Sequence, residues 1–468
     1  VTVTARGYVV AIDNGSQSTK VLIVDGDGVV HASARVPLRP YASPSPGRWE
    51  HPDDDLWDSV VAAVREALAR FDGDHSEIRG VGLCTIRFCR AVLRNDGSLA
   101  QPIMSWMDER LPHAYEREVQ DAAYVTTSSG YIGHRLTGER RDAAGNYQGM
   151  WPIDSERWTW SGDASEYART GMDPQMLFEL VAPGEALGRV TAAAAHRTGL
   201  PAGIPVIATS NDKAVEALGA GLREEGDALL SLGTYVATMT VGDRPLGSNA
   251  DVWTNFGAEP GAYLYESNGV RRGMWTVSWF RELISSSGCG MTEEELNVGA
   301  AQVPVGAGGI VAALDWLAPP DEPWRRGALV GFDGTQGRFH IYRAILEALA
   351  IETAASDDRA RAVLGRRRRS LVVTGGGSSS PLMLQILAAV YRVPVRTPLV
   401  RDAAGMGAAI CAAVGVGMHR SWEGAVDAMV REGERVDVDL EMARGYEEVA
   451  RTYATVIPRI RRLFSETD

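Results

Sequence analysis

Val9-Val10-Ala11-Ile12-Asp13-Asn14-Gly15-Ser16-Gln17-Ser18-Thr19-Lys20-Val21-Leu22-Ile23-Val24-Asp25 sets two apolar runs on either side of a short polar centre. The runs are rich in β-branched residues and read as paired strands, and the centre reads as the turn between them. That centre gathers backbone N–H groups and hydroxyls, which suits an anion. Gly15 lets the backbone approach closely. Ser16, Gln17 and Ser18 offer donors, Lys20 offers a compact charge, and Asp13 suits a Mg²⁺ ion held through water. Taken alone, the same pattern is that of a plain hairpin. A triphosphate reading requires a second phosphate loop, an adenosine site and a base elsewhere in the chain.

A chain of 468 residues is too long for one core and points to two domains. An apolar fraction of 45% with 23% charged residues is ordinary for a globular protein. The net charge of −13 argues against a nucleic acid or an anionic membrane as partner, since both require a basic footprint. The basic run Arg366-Arg367-Arg368-Arg369 precedes an apolar strand and reads as a solvated loop. Cys84, Cys89, Cys289 and Cys411 form no CxxC pair, and the eight histidines show no zinc spacing. Reduced thiols, no signal-peptide pattern and no apolar run near the ~18 residues of a membrane span lead to the expectation of a cytoplasmic protein. Among 47 basic residues only Lys20 and Lys213 are lysines. An ammonium is a compact charge on a flexible stem, unlike the guanidinium fork, so both positions are candidates for needing an amine.

Residues 7–38 read as a strand meander and 52–70 as an amphipathic helix opened by Pro52-Asp53. Residues 112–140 are mixed, with helix or loop both possible, and 151–160 are Trp-rich without a clear period. Val206-Ile207-Ala208 reads as a strand leading through Thr209-Ser210-Asn211-Asp212-Lys213 into a helix that ends at Gly219-Ala220-Gly221. Near residue 222 the strand–Gly turn–strand pattern restarts, a duplication of structure rather than of sequence. The chain therefore divides into domains 1–222 and 223–468. A long helix is predicted over 339–361.

Three further motifs bear on chemistry. Leu232-Gly233-Thr234 places a Gly-Thr turn between strands. Val372 to Pro381 runs a strand into Thr374-Gly375-Gly376-Gly377-Ser378-Ser379-Ser380 at a helix start, where free N–H groups favour a nucleotide. This is neither GxGxxG nor GxxxxGK[ST]. Asp212, at a strand–helix junction, is either an N-cap or a general base for a substrate hydroxyl.

The order of these motifs resembles the actin, heat-shock chaperone and hexokinase superfamily of two-domain ATPases. Within it the chain is similar to FGGY-family carbohydrate kinases over nearly its whole length. The similarity rests on AIDNGSQSTK (11–20), SWMDER (105–110), NDKAVEALGAG (211–221), SLGT (231–234), TGGGSSSPLMLQILA (374–388) and AAGMGAAICAAVG (403–415). The resemblance implies an α/β fold of two ribonuclease H-like domains with a nucleotide cleft between them. It also implies ATP, Mg²⁺ and a small sugar as ligands. A homodimer is common in the family, and the residues themselves do not fix the oligomeric state. By the same resemblance Asp212 is the catalytic base, and Asp13 and Asp212 are the carboxylates beside Mg²⁺. Gly15, Ser16, Gln17, Ser18 and Lys20 form the first phosphate loop, and Gly233 and Thr234 the second. Gly376, Gly377 and Ser380 hold adenosine. Arg87, Trp106 and Asp108 line the sugar pocket, with Asn211 and Lys213 beside the base.

The chain departs from the family where Ser210-Asn211-Asp212 stands for Gly-Gly-Asp and where Lys213 follows the base. Ile86-Arg87 replaces the Met-His pair of xylulokinases; an Arg there resembles glycerol kinases or autoinducer-type kinases, whose following acidic residue is replaced by Phe88 or shifted. The stretch between Arg110 and Tyr131 is shorter than usual. The ammonium of Lys213 either holds a substrate oxygen, lowers the pKa of Asp212 or faces solvent. Arg87 together with Lys213 hints at a substrate with a carbonyl or acid group. A nucleotide-binding regulator without transfer activity and an actin-like polymer are the alternatives on the same scaffold.

Overall fold

The computed structural model describes residues 7–286, 290–319 and 321–465. Its strands fall into two mixed sheets. The first contains β1 (Tyr8–Asn14), β2 (Ser18–Asp25), β3 (Val30–Pro37), β4 (Ile78–Thr85), β5 (Ala186–Arg189) and β6 (Pro205–Ala208), in spatial order β5-β6-β4-β1-β2-β3. The second contains β7 (Asp227–Leu232), β8 (Val236–Gly242), β9 (Val252–Phe256), β10 (Tyr263–Ser267), β11 (Ser370–Thr374), β12 (Val395–Pro398) and β13 (Glu432–Val436), in order β9-β10-β8-β7-β11-β12-β13.

One plan underlies both. β1, β2 and β3 form an antiparallel meander, β4 joins β1 in parallel, and β6 joins β4 in parallel. In the second sheet β7, β8 and β10 form the meander, and β11 and β12 extend it in parallel. This is the doubled ribonuclease H-like α/β fold that the order of motifs implies.

The opening hairpin behaves as its alternation dictates. β1 is central, so both of its faces must be covered. Val10 and Ile12 join the core beneath α1 (Asp55–Ala69), whose Leu56, Trp57, Val60, Ala63 and Val64 are buried there. Val9 and Ala11 point the other way, into a core shared by the two halves. That shared core is built by α2 (Asp212–Gly219) and, further along the chain, α5 (Ala403–Gly415), which packs on α2, β1 and β4. Between them in sequence lie α3 (Arg338–Leu364) and α4 (Pro381–Tyr391), which cover the second sheet. All strands of the first sheet precede residue 209 and all of the second follow residue 226. The division expected at 222 lies in the link between α2 and β7, but α5 crosses it by packing on the first sheet.

Several segments left open in the sequence take definite form, and one reading is corrected. The mixed segment 112–140 holds a strand, Tyr124–Thr127, and a helix, Ser128–Thr137. The Trp-rich stretch forms a small hairpin, Ile153–Asp154 with Thr159–Trp160. Its tip reaches the second sheet, where Trp158 Nε1 donates to Tyr263 Oη at 3.0 Å. The arginine run is not uniformly solvated. Arg368 is pinned by Asp357 at 3.0 Å and stacks on Tyr391, and Arg366 stacks on Tyr265. Cys84, Cys89 and Cys411 are buried free thiols, and Cys289 lies outside the described residues. No helix among the described residues is long and apolar enough to cross a membrane.

Candidate active site

The two halves enclose a cleft of about 500 Å³. The opening hairpin contributes Asp13, Gly15, Ser16, Gln17, Ser18 and Lys20 to its wall. Arg87, Trp106, Asp212, Lys213, Gly233, Thr234, Gly376 and Asp402 complete the part that carries chemistry. A larger hollow of about 900 Å³ lies wholly in the second half, walled by ion pairs such as Arg461 with Asp315 at 2.9 Å and by Glu352, whose carboxyl burial pushes up to about 7. The convergent glycine turns and the Asp212 carboxylate belong to the smaller cleft.

Asp212 occupies the first position of α2. The capping role falls to its neighbour, because Asn211 Oδ1 accepts the Ala214 N–H at 3.1 Å. Asp212 is thereby released from that duty, and its side chain keeps 25% exposure into the cleft. Burial pushes its carboxyl above the ordinary carboxylate range, while the nearby Arg87 and Lys213 pull it back. Arg87 Nε lies 3.7 Å from Asp212 Oδ1.

Lys213 does not face solvent. Its side chain is 18% exposed, and its Nζ donates to Glu216 Oε2 at 2.8 Å and Ser231 Oγ at 2.7 Å. Thr374 Oγ1 also donates to Glu216, at 2.7 Å. Burial works against the Glu216 charge, but Lys213 and these hydroxyls overcome it and hold the carboxyl below its ordinary value. Arg87 is equally engaged. Both of its terminal nitrogens donate to Glu266, each at 2.9 Å. The two cations that hinted at an acidic substrate are therefore already matched.

On the phosphate side the hairpin turn closes with Gly15 N donating to Ser18 O at 3.1 Å. Gln17 Nε2 reaches Thr234 Oγ1 at 3.2 Å, which ties the first phosphate turn to the second. Lys20 Nζ stands between Asp13 Oδ2 at 3.2 Å and Asp402 Oδ1 at 3.3 Å. Gly375 adopts φ +80°, and a Cβ there would sit 2.5 Å from Leu232 O, so the turn after β11 requires glycine. Gly376 opens onto the cleft.

Four expected contacts do not line the cleft. Asp108 is wholly buried and holds the Trp49 N–H at 2.8 Å and the Arg110 N–H at 3.0 Å. Asn211 is wholly buried, pairing with Asn255 at 2.9 and 3.1 Å. Gly377 packs inward against Leu232 and Met274. Ser380 caps α4 through the Met383 N–H at 3.1 Å and donates to Asn297 at 2.7 Å. A short polar residue at a helix start is commonly used by the backbone first, as Asn211 and Ser380 are here.

Sequence reasoning also misses Glu216, Tyr235, Trp253, Glu266 and Asp402, all of which face the cleft. Asp402 carried a signal, since it immediately precedes a small-residue helix and sits at its N-cap. Glu266 carried none, because only strand pairing in the second sheet brings it opposite Arg87.

The donor set suits Mg²⁺ bound jointly with phosphate. Burial, then the proximity of Asp402 and Asp212, pushes the Asp13 carboxyl up to about 7 against the pull of Lys20. Asp13 and Asp402 thus share the one ammonium of Lys20. No group of three or more His, Cys, Asp or Glu able to cage an ion is found among the described residues. One or two carboxylates completed by phosphate oxygens and water is the usual arrangement for this ion.

Two ribonuclease H-like halves facing one another across a glycine-lined, carboxylate-bearing cleft define an ATPase-type phosphotransferase. Residues 8–117 match the N-terminal domain and residues 228–416 the C-terminal domain of the FGGY family of carbohydrate kinases. The chain is 42% identical over 434 residues to an uncharacterised sugar kinase of Escherichia coli, YgcE, covering 91% of this chain and 88% of that one. It is 28% identical to a glycerol kinase of Alkalilimnicola ehrlichii, covering 95% and 98%. The xylulose kinase structure from Rhodospirillum rubrum superposes with a TM-score of 0.83 at 25% identity, covering 98% of this chain and all (100%) of that one. The chain belongs to the FGGY family of carbohydrate kinases. It is a sugar kinase, a phosphotransferase with an alcohol group as acceptor.

Proposed function

We propose that the protein transfers the γ-phosphoryl group of ATP to a terminal hydroxyl of a small sugar, with Asp212 as general base. The acceptor class is a pentulose such as xylulose or ribulose, or a related ketose, polyol or sugar acid. The observation that carries this reading is the release of Asp212 from capping by Asn211, which leaves a cleft-facing carboxylate beside Arg87.

The acceptor oxygen bonds to the γ-phosphorus as the bond to the β,γ-bridging oxygen breaks. ADP leaves, and the hydroxyl proton passes to Asp212. Such transfer relies mainly on positioning and on stabilising charge at the phosphoryl oxygens. The turns at Gly15–Gln17, Gly233–Thr234 and Gly375–Gly376 present backbone N–H groups and small side chains to the triphosphate. Lys20 adds a cation held between two carboxylates. Asp13, with Asp212 nearby, would hold Mg²⁺, which supplies charge neutralisation at the phosphates when bound. Trp106 and Arg87 line the sugar end. Gln17–Thr234 and Arg87–Glu266 join the halves across the cleft, so closure around both substrates excludes water and limits idle hydrolysis.

A coupled assay for ADP release across pentuloses, hexuloses, polyols and aldonic acids tests the reading. Sugar-dependent turnover in the wild type that disappears in Asp212→Asn supports it. Equal turnover by the two proteins removes Asp212 from the role.

A further inference from the structure

Arg87 and Glu266 lie on opposite halves of the chain and meet inside the cleft. Arg87 follows β4, and Glu266 sits on β10. The pair is bidentate, with both N–O distances at 2.9 Å. Exposure is 10% for the Arg87 side chain and 1% for that of Glu266. The rings of Phe88 and Trp253 each stand 5.1 Å from the guanidinium, so its position is fixed by stacking as well as by charge. Two terminal N–H groups are spent on Glu266, and the remaining terminal N–H groups and the Nε–H are left as donors. Lys213, the other cation beside Asp212, is spent on Glu216 and Ser231.

The charges around the base therefore cancel in pairs, and Asp212 itself leaves a net negative charge. A hydroxyl entering this region needs only donors and an acceptor, which Arg87 and Asp212 supply. A carboxylate entering it would have to displace one oxygen of Glu266 from a bidentate pair, or sit desolvated beside Asp212 and Glu266, since both cations next to the base are matched; the cleft's Arg35 and Arg401 stand with the phosphate turn, Arg35 donating to Ser18 Oγ at 3.1 Å and Arg401 preceding Asp402.

We infer that the acceptor is an uncharged polyhydroxy compound, a ketose or polyol, and that Glu266 is the specificity-determining residue that excludes sugar acids by occupying the Arg87 fork. The inference rests on the sugar kinase reading and narrows its acceptor class. Glu266 acts through Arg87 and through its own charge, so it is a positioning residue rather than a catalytic one.

The test measures binding and turnover separately, on the full chain. Calorimetry compares matched pairs, a ketopentose against a pentonate and a ketohexose against a hexonate, and the coupled assay then gives kcat/KM for the same compounds. The wild type is expected to favour the neutral member. Glu266→Gln is expected to narrow that preference by roughly tenfold or more, the scale of one charge-assisted hydrogen bond, through tighter binding of the acid. Glu266→Asp, which keeps the charge, is expected to retain discrimination. If Glu266→Gln does not fold, Arg87→Gln serves, and it must still refuse the acid. Acid binding by the wild type as tight as neutral binding overturns the inference. So does a Glu266→Gln variant that weakens both members alike. Discriminating binding without phosphoryl transfer overturns the kinase reading alone, whereas no binding of any member overturns both.

Discussion

Gly219 on α2 and Gly407 on α5 meet backbone to backbone. A Cβ on Gly219 would lie 1.9 Å from Ala403 O and 2.4 Å from Gly407 N, and one on Gly407 would lie 1.9 Å from Val215 O. The two helices that carry the shared core can approach this closely only because neither position has a side chain. The small-residue composition of 403–415 is thus a packing requirement. It brings the N-termini of α2 and α5, with Asp212 and Asp402, to one cleft.

Gly407→Ala is expected to force the helices apart and destabilise the fold by about 1–3 kcal/mol, the usual cost of overpacking. Gly162→Ala, where a Cβ would meet nothing within 4 Å, is the control and should change stability by less than about 0.5 kcal/mol. Urea midpoints measure both. Sugar-dependent turnover should fall in Gly407→Ala alone, since α2 carries the base.

Asp212→Asn is expected to lose roughly 10²–10⁴-fold in kcat, the contribution of a general base. The pH profile gives a second readout. Burial raises the Asp212 carboxyl, and only the ionised form accepts a proton, so kcat/KM should fall with decreasing pH through a value above the ordinary carboxylate range. The Asn variant should lack that acid limb.

Lys213→Met is expected to act on the same limb. The ammonium pulls the Asp212 carboxyl down and neutralises Glu216. Its loss should move the acid limb to higher pH and leave a buried carboxylate with only hydroxyl partners, at a cost of about 3–5 kcal/mol. An unmoved limb with unchanged Michaelis constants would show that Lys213 serves neither the base nor the substrate.

The sequence made the strand meander at 7–38, the helix before residue 70 and the glycine turn after β11 readable because each is a local pattern: alternation, a capped amphipathic run, a strand entering free N–H groups. Asp13, Asp212, Lys20 and Gly376 reach the cleft from such local patterns, a hairpin, a helix start and a glycine turn. Glu266 was not legible, because its neighbours in sequence say nothing about Arg87, which lies far away along the chain. The capping by Asn211 and Ser380 was not legible either, because a polar side chain at a helix start can serve the backbone or a ligand, and only coordinates show that these two cap. The Arg366–Arg369 run misled for a related reason. A guanidinium buries its planar face on a ring while its edge stays paired, as Arg368 does on Tyr391, and charge counting does not register that.

His51 yields a prediction about stability rather than turnover. It is almost wholly buried behind the opening hairpin, edge-on to Tyr41, with Cys89 Sγ 3.9 Å from its Nε2. Burial pushes its imidazole down to about 4, against the opposing pull of Asp55. In the unfolded chain the ring takes up a proton near pH 6.5, while in the folded chain it stays neutral until about pH 4. The unfolded state therefore binds more protons in this window, and stability falls as pH falls through it. The contribution is fully present above pH ~6.5 and lost on reaching the folded value, with an upper size of roughly 3 kcal/mol at ~1.36 kcal/mol per pH unit. His51→Asn is expected to be less stable than the wild type at pH 7.5, yet to lose less of its stability between pH 7 and pH 4. Urea midpoints across that range measure the difference, and parallel pH dependences for the two proteins would show that His51 titrates as it does in the unfolded chain.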